Sequence, residues 1–453
     1  MNDTTSPQVQ PNVLARLQGI RQQVYGCFKR ARDALFNLTD ALLSESQAQS
    51  LPELSLSAFF ERKWPSVYEA LEDGWIDVEQ LRAVWVNALL SEKGKDEPVW
   101  IAVDASGIER ADARTSQDRG IIHLSNLPLV DKPIGVGWLF STVTLLPDEP
   151  SSWAPILDQQ RIQTEHTPIQ VAIAQLQALK PLLGKRRVIV LADRGYCTPT
   201  FLRACHDLGY SCLVRLKSDR RLYGPGIRLH KKGPAPKDGA LFQGKRKETQ
   251  AAPEALWVEQ DAKGRTVRIS SFSNLHFKED RELLLKVVRV ERESAKDTKR
   301  DPRVSWFVML DDFIALQEVA SHYCRRFSQE HCYRFLKQDL LWTQVHVRTP
   351  EQFERWSWLV VTAFNQLCLA RELGQALHRP WERQERSITP GQVRRVMPSL
   401  LVQLGTPARL CRPRGISPGR AKGFHPKPST RFSVICKHSK KTKKPGKSLQ
   451  STA

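Results

Sequence analysis

The chain has 453 residues, with 69 Lys and Arg against 48 Asp and Glu and a net charge of +21; that length implies about two to four domains or large insertions. Its 41% of apolar residues and 12 Trp supply a packed core, which excludes wholesale disorder. Nine scattered Cys form no CxxC pair and no zinc-finger spacing, and they read as reduced thiols of an intracellular protein. The N-terminal residues lack the basic start and apolar run of a signal peptide, and the most apolar late stretch, Trp356 to Ala370, is broken by Asn365 and Gln366, so no membrane span is expected.

From residue 13 to about 93 the apolar positions recur at helical period, as in VLARLQGIRQQVYGCFKRARDALFNLTDALL, with Pro only at 52 and 65. The pattern predicts an all-α N-terminal region over 1–94. Arg16, Arg21, Lys29, Arg30 and Arg32 lie in its first long helix, where a charged outer face accounts for them. At Val99 the texture changes. VWIAVD is predicted as a strand ending in Asp104, VGWLFSTVTLL as a second strand, residues 167–183 as a helix, VIVLAD as a buried strand ending in Asp193, residues 199–208 as a short helix, and SCLVRLK as a strand. Strands alternating with helices over 95–217 predict the first part of an α/β core with some parallel pairing.

Residues 218–310 contain LWVEQ, TVRISSF, ELLLKVVRV and VSWFVML between Gly, Pro and charged turns, and read as a β-rich insertion rather than a loop. The second part of the core, 311–405, begins with a helix predicted to run from about Phe313 to Leu341. After Glu385 there is no acidic residue, and 13 Lys and Arg fall between Pro407 and Ala453. The tail over 406–453 is either a solvated, disordered segment or a contact for a polyanion. Of polyanions, nucleic acid fits better than a membrane because no amphipathic helix accompanies the charge.

Asp104 and Asp193 each follow an apolar run, and strand ends are where an open α/β sheet gathers its chemistry. Taken singly, such an Asp also serves simply to cap a turn. On the predicted third element, Tyr323, Arg326, Glu330 and Lys337 stand at offsets 0, 3, 7 and 14, within an arc about 60° wide at ~100° per residue. Phe327, Cys324, Phe335, Cys332 and Leu336 fall on the opposite, core-facing side. The polar stripe is either a salt-bridged solvated face or, with the two Asp, an acidic triad flanked by phosphate-binding cations. Three carboxylates suit two divalent ions about 3.5 to 4 Å apart, which activate the attacking oxygen and stabilise the leaving one in phosphodiester cleavage. Arg326 and Lys337 suit phosphate.

The spacing Tyr323-x2-Arg326-x3-Glu330-x6-Lys337 resembles the Y-(2)-R-(3)-E-(6)-K signature of bacterial insertion-sequence transposases of the DDE superfamily, and VDASG and LADRGY resemble that family's two Asp motifs. The resemblance covers roughly 95–375. It implies a ribonuclease-H-like core with a β-rich insertion, and a metal-binding catalytic triad of Asp104, Asp193 and Glu330. Two Mg²⁺ ions, with Mn²⁺ as a substitute, are the implied cofactors. It further implies hydrolysis of double-stranded DNA at terminal inverted repeats, then 3′-hydroxyl strand transfer into target DNA, in a cut-and-paste reaction that passes through hairpin ends in several members. DNA contacts from Tyr323, Arg326 and Lys337, DNA-end binding by the N-terminal region, a dimer in the synaptic complex and a bacterial cytoplasmic setting at the nucleoid follow from the same resemblance. Hairpin-forming relatives hold a flipped base on a Trp of the insertion; Trp257 and Trp306 are the candidates, and core packing is the alternative for each. His123, His322 and His331 are expected to pack or orient rather than to ligate. Two readings remain beside the transposase: a related nuclease that cuts without joining, and a noncatalytic DNA-binding derivative.

Overall fold

Short sequence signals set where helices begin. Thr167-Pro168-Ile169-Gln170, Thr349-Pro350-Glu351-Gln352 and Thr389-Pro390-Gly391-Gln392 each build a capping box, with the Thr hydroxyl accepting from the Gln N–H and the Gln side chain accepting from the Thr N–H. Pro at the first helical position lacks the N–H that would otherwise be orphaned. The computed structural model describes residues 11–124, 133–228, 236–261, 263–298, 301–375, 381, 387–411 and 419–436.

The N-terminal region comprises α1 (Pro11–Cys27), β1 (Phe28–Arg30), α2 (Arg32–Ser44), α3 (Leu51–Leu54), α4 (Pro65–Asp73), β2 (Trp75–Ile76) and α5 (Val78–Leu90), with β1 and β2 paired antiparallel. The chain then forms β3 (Val99–Glu109), β4 (Gly120–His123), β5 (Ile134–Leu145), β6 (Ile156–Ile162), α6 (Pro168–Leu183), β7 (Val188–Ala192), α7 (Pro199–Asp207) and β8 (Ser211–Arg215). Strands β9 (Leu222–Tyr223), β10 (Leu241–Phe242), β11 (Ala255–Gln260), β12 (Thr266–Phe277), β13 (Asp280–Arg292) and β14 (Val304–Met309) follow. The last helices are α8 (Val319–Cys324), α9 (Phe327–Gln338), α10 (Pro350–Leu369), α11 (Arg371–Gln375) and α12 (Pro390–Leu404).

All strands from β3 to β14 join one mixed sheet of 12 strands. At its centre the order is β6-β5-β3-β7-β8, with β6, β5 and β3 antiparallel and β3, β7 and β8 parallel. The strands of 218–310 extend this sheet: β14 pairs antiparallel with β8, and β13, β12 and β9 continue outward.

Alternate residues of β3 face opposite layers, as the period of two requires. Val99, Ile101 and Val103 pack with α5, α6 and α7, whereas Trp100 and Ala102 pack with Val319 and Tyr323 of α8. Farther along that second face, Ile108, Trp138 and Phe140 share a core with α9, α10, α12 and the N-terminal helices. The N-terminal helices are thus bonded into the body of the protein. Arg21, read from sequence as part of a charged outer face, is instead only 1% exposed. Its guanidinium holds both oxygens of Asp40 at 2.8 and 2.9 Å and Gln366 Oε1 of α10 at 2.7 Å, because a buried charge survives only when paired.

Two further expectations change. Asp104 does not end its strand: β3 runs on to Glu109 against β5. The helix expected from about Phe313 to Leu341 is two helices, α8 and α9, joined by a tight turn in which Arg326 and Ser328 donate to carbonyls three residues back, Tyr323 and Arg325. With that change of pitch Phe327 leaves the core-facing side and is 43% exposed. The described part of the basic tail is extended, and it touches the body at the outer edge of β4; residues 412–418 and 437–453, including the run at Lys440 to Lys444, lie outside the described residues. Among the described residues no helix is long and apolar enough to cross a membrane.

Candidate active site

The parallel register of β3 and β7 pairs Val103 with Ala192, so Asp104 and Asp193 come next on neighbouring strands, roughly 4.8 Å apart in the backbone. At that point the strands part. Asp193 Oδ1 accepts the Gly195 N–H at 2.8 Å and turns the chain toward α7, while β3 continues with β5 alone on one side. The edge of β3 that β7 abandons has backbone carbonyls to satisfy.

Helix α9 supplies donors beyond the β7 pairing from Tyr333 and Lys337, and from Gln329 to β5 and to Ala102, which β7 still flanks. Gln329 Nε2 donates to Thr142 O at 3.0 Å and Ala102 O at 3.4 Å, the Tyr333 hydroxyl to Asp104 O at 3.0 Å, and Lys337 Nζ to Gly107 O at 3.2 Å. These residues are spaced by four, so one helix face is stitched along β3 and the adjacent β5. On α8 the Tyr323 hydroxyl reaches Ala192 O, just before Asp193, at 3.3 Å. Both strands are therefore tied to the helix pair beside their carboxylates. Sequence reasoning found Tyr323 and Lys337 but missed Gln329 and Tyr333; the four-residue steps back from Lys337 carried that signal.

Arg326, at the turn between α8 and α9, is the cation of the site. Its two terminal nitrogens stand 3.0 Å from Asp104 Oδ2 and 3.0 Å from Glu330 Oε1. Burial disfavours its charge, but Tyr323, Asp104, Glu330 and Asp193 outweigh that and raise its pKa. Burial lifts the Asp104 carboxyl to about 6; Arg326 pulls it down, and the charges of Asp193 and Glu330 push it up. Lys337 is lowered by burial, with Asp104 working the other way. The Tyr196 hydroxyl, buried and without a hydrogen-bond partner among the described residues, lies in the field of Asp104 and Asp193.

The site thus brings Asp104 beside Asp193 and joins Asp104 to Glu330 through one guanidinium. It does not close the three carboxylates into a single cluster: among the described residues no three His, Cys, Asp or Glu side chains are placed to hold one ion. The donor chemistry still fits a hard divalent cation, because carboxylate oxygens repel one another across Asp104 and an orphaned hydroxyl stands beside them.

The family model described as DDE superfamily endonuclease matches residues 23–274, which is more than half of the chain and includes both Asp104 and Asp193. The chain belongs to the DDE superfamily endonucleases. That membership carries a general use of divalent metals and DNA as substrate. A search of curated proteins returns no match. The family match ends before α8 and α9, so the place of Glu330 in this endonuclease rests on the contacts just described.

The two Trp differ. Trp306 is 5% exposed and packs against the rings of Phe242 and Phe272 at 5.8 and 6.2 Å; a Cβ on Gly244 would come within 2.7 Å of its ring. It is a core residue with no face free for a base. Trp257 lies on β11 at 45% exposure, its indole N–H donating to Glu259 at 3.0 Å. His322 stacks on Trp100 at 4.7 Å and His123 and His331 are exposed; none joins the carboxylates.

Proposed function

We propose that this endonuclease is a transposase of the Y-(2)-R-(3)-E-(6)-K group, with a ribonuclease-H-like core. The observation that carries the reading is the register that sets Asp104 beside Asp193, with Arg326 binding Asp104 to Glu330. The strand order β6-β5-β3-β7-β8, three antiparallel and three parallel with β3 shared, supports the ribonuclease-H-like assignment. Asp104, Asp193 and Glu330 would hold the Mg²⁺ ions, which would supply activation of the attacking oxygen and stabilisation of the leaving one.

The protein's own groups do the remaining work. Tyr323 and Tyr333 fix the backbone on which the two Asp stand. Arg326 carries a planar pair of donors, here on Asp104 and Glu330, and the same pair would suit the oxygens of a scissile phosphate. Lys337 uses one donor on Gly107 O and keeps two for a neighbouring phosphate. Trp257 is exposed for stacking on a displaced base, which supports a hairpin route. The helices of 1–94 bind the inverted repeats, and two copies meet at paired ends.

The test is cleavage and joining of a duplex that carries the DNA flanking the coding gene, in Mg²⁺ and in EDTA, by the wild type and Asp193→Asn. Metal-dependent 3′-hydroxyl ends and joined products, absent with Asp193→Asn, are expected. Cutting without joining would reduce the protein to a nuclease. Binding with no cut strand in either protein would make it a noncatalytic DNA binder.

A further inference from the structure

Residues 419–431 are exposed throughout and contain Arg420, Lys422, Lys427 and Arg431 with no acidic residue. Pro426 and Pro428 favour an extended backbone there. A polycationic stretch is ordinarily a free, solvated tail, but this one is fastened where it ends. The Phe432 N–H donates to Arg114 O at 2.9 Å and the Ile435 N–H to Arg119 O at 2.8 Å. The buried Arg119 guanidinium returns a bond to Phe432 O at 2.9 Å, and Ile435 bridges Gly120 in the parallel sense. The tail thereby adds to the outer edge of β4.

That edge has a defined place relative to the carboxylates. The register runs across the sheet from Glu109 to Gly137 to Gly120 to Ile435. Glu109 lies on the strand of Asp104, five residues on, or roughly 17 Å at ~3.3 Å per residue, and three strand spacings add roughly 14 Å sideways. The fastening point is thus about 22 Å from Asp104. It lies on the side toward which β3 points after passing Gly107, the residue whose carbonyl holds Lys337.

We propose that residues 419–436 are a DNA arm, whose anchor at Ile435 stands about six base pairs from the bond being cut, at ~3.4 Å per base pair, so that its cations grip duplex phosphates around that point. The proposal rests on the reading of the protein as a DNA-cutting enzyme and adds to it a second contact of fixed distance. Fastening matters because a loose polycation meets phosphates anywhere on the duplex, whereas a fastened one measures length from the active site.

The experiment measures binding of random-sequence duplexes of 10 to 30 base pairs in EDTA, as a function of salt. The proteins are the wild type, the combined variant Arg420→Ala, Lys422→Ala, Lys427→Ala, Arg431→Ala, and Phe432→Pro, which lacks the N–H that bonds Arg114. The four cations are exposed and Phe432 is half-buried, and melting curves confirm that the variants fold. Loss of four phosphate contacts lowers the slope of log affinity against log salt by about 3.6, so the wild-type advantage shrinks about 150-fold between 50 and 200 mM salt. Wild-type affinity is expected to keep rising with duplex length for about six base pairs beyond the point where the combined variant levels off. Phe432→Pro is expected to keep the salt slope and lose the length step. An unchanged slope in the combined variant would overturn the arm, and a changed slope with no length step in the wild type would overturn its fixed placement. Because binding is read without metal, a failure of catalysis leaves these results standing. Metal-dependent cutting with an unchanged salt slope would sink the arm alone.

Discussion

Consider Asp104→Asn, judged by stability rather than by activity. Burial raises the Asp104 carboxyl from 3.8 to about 6, Arg326 opposing the rise and Asp193 and Glu330 adding to it. That gap is worth about 3 kcal/mol of preference for the neutral form. Between pH 3.8 and about 6 the folded protein holds a proton that the unfolded chain has released, so this group favours folding below pH 3.8 and the benefit is lost as pH rises through 6. Asn has the shape of the neutral acid and stays neutral, so the variant should match the wild type near pH 4 and exceed it by up to about 3 kcal/mol at pH 8. With an unfolding entropy of ~2.1 cal/mol/K per residue over 453 residues, that is about 3 °C in melting temperature. Melting curves in EDTA at pH 4.5 and pH 8 check it. A variant that melts below the wild type at pH 8, or a difference that does not vary with pH, would refute the claim that the ionised carboxylate is held at a cost for function.

Three other outcomes are expected. Tyr333→Phe leaves the Asp104 carbonyl without its donor; cleavage should slow about tenfold, as a lost bond of about 1 to 1.5 kcal/mol implies, with a raised Mg²⁺ requirement and unchanged DNA affinity, measured by single-turnover cleavage against metal concentration. Trp306→Ala should destabilise by about 3 to 5 kcal/mol, whereas Trp257→Ala should cost under about 1 kcal/mol and act on cleavage products instead; denaturant unfolding and gel analysis of end structures separate the two. Arg21→Ala strands the buried Asp40 and should cost about 3 to 5 kcal/mol. Because Arg21 also bonds Gln366, the loss should lower a single melting transition, and two separated transitions would contradict the shared core.

How much of this was legible differs element by element. The runs VWIAV and VIVLA were readable because strands buried on both faces are continuously apolar, and the Thr-Pro-x-Gln boxes fix helix starts locally. The second half of β3, Ala-Ser-Gly-Ile-Glu, has no such signal, since it stays a strand through pairing with β5 and through the α9 donors. The polar stripe at Tyr323, Arg326, Glu330 and Lys337 was legible, but it is not a solvated face, since Tyr323 and Arg326 are buried. Arg326 does pair with Glu330, and the same guanidinium also reaches Asp104, 222 residues away in sequence. The break between α8 and α9 escaped because periodicity assumes a uniform pitch. Trp257 and Trp306 are indistinguishable by type; one lies on an edge strand and the other opposite Arg289 within the sheet.

The bonds between the two ends of the described chain bear on when the protein becomes itself. Gln18 donates to Leu404 O and Arg21 to Gly405 O, and the core that carries α9 is completed by α1, α2 and α12 together. Contacts nearly 390 residues apart in sequence close only after residue 404 has left the ribosome, and such distant closures are slow. A message cut short before α12 yields Asp104, Asp193 and Glu330 on a chain whose Leu359, Phe364, Leu38 and Leu42 lack part of their cover. Such fragments expose apolar surface that marks them for chaperones and proteases. The core that carries α9 is therefore complete only once α12 is in place.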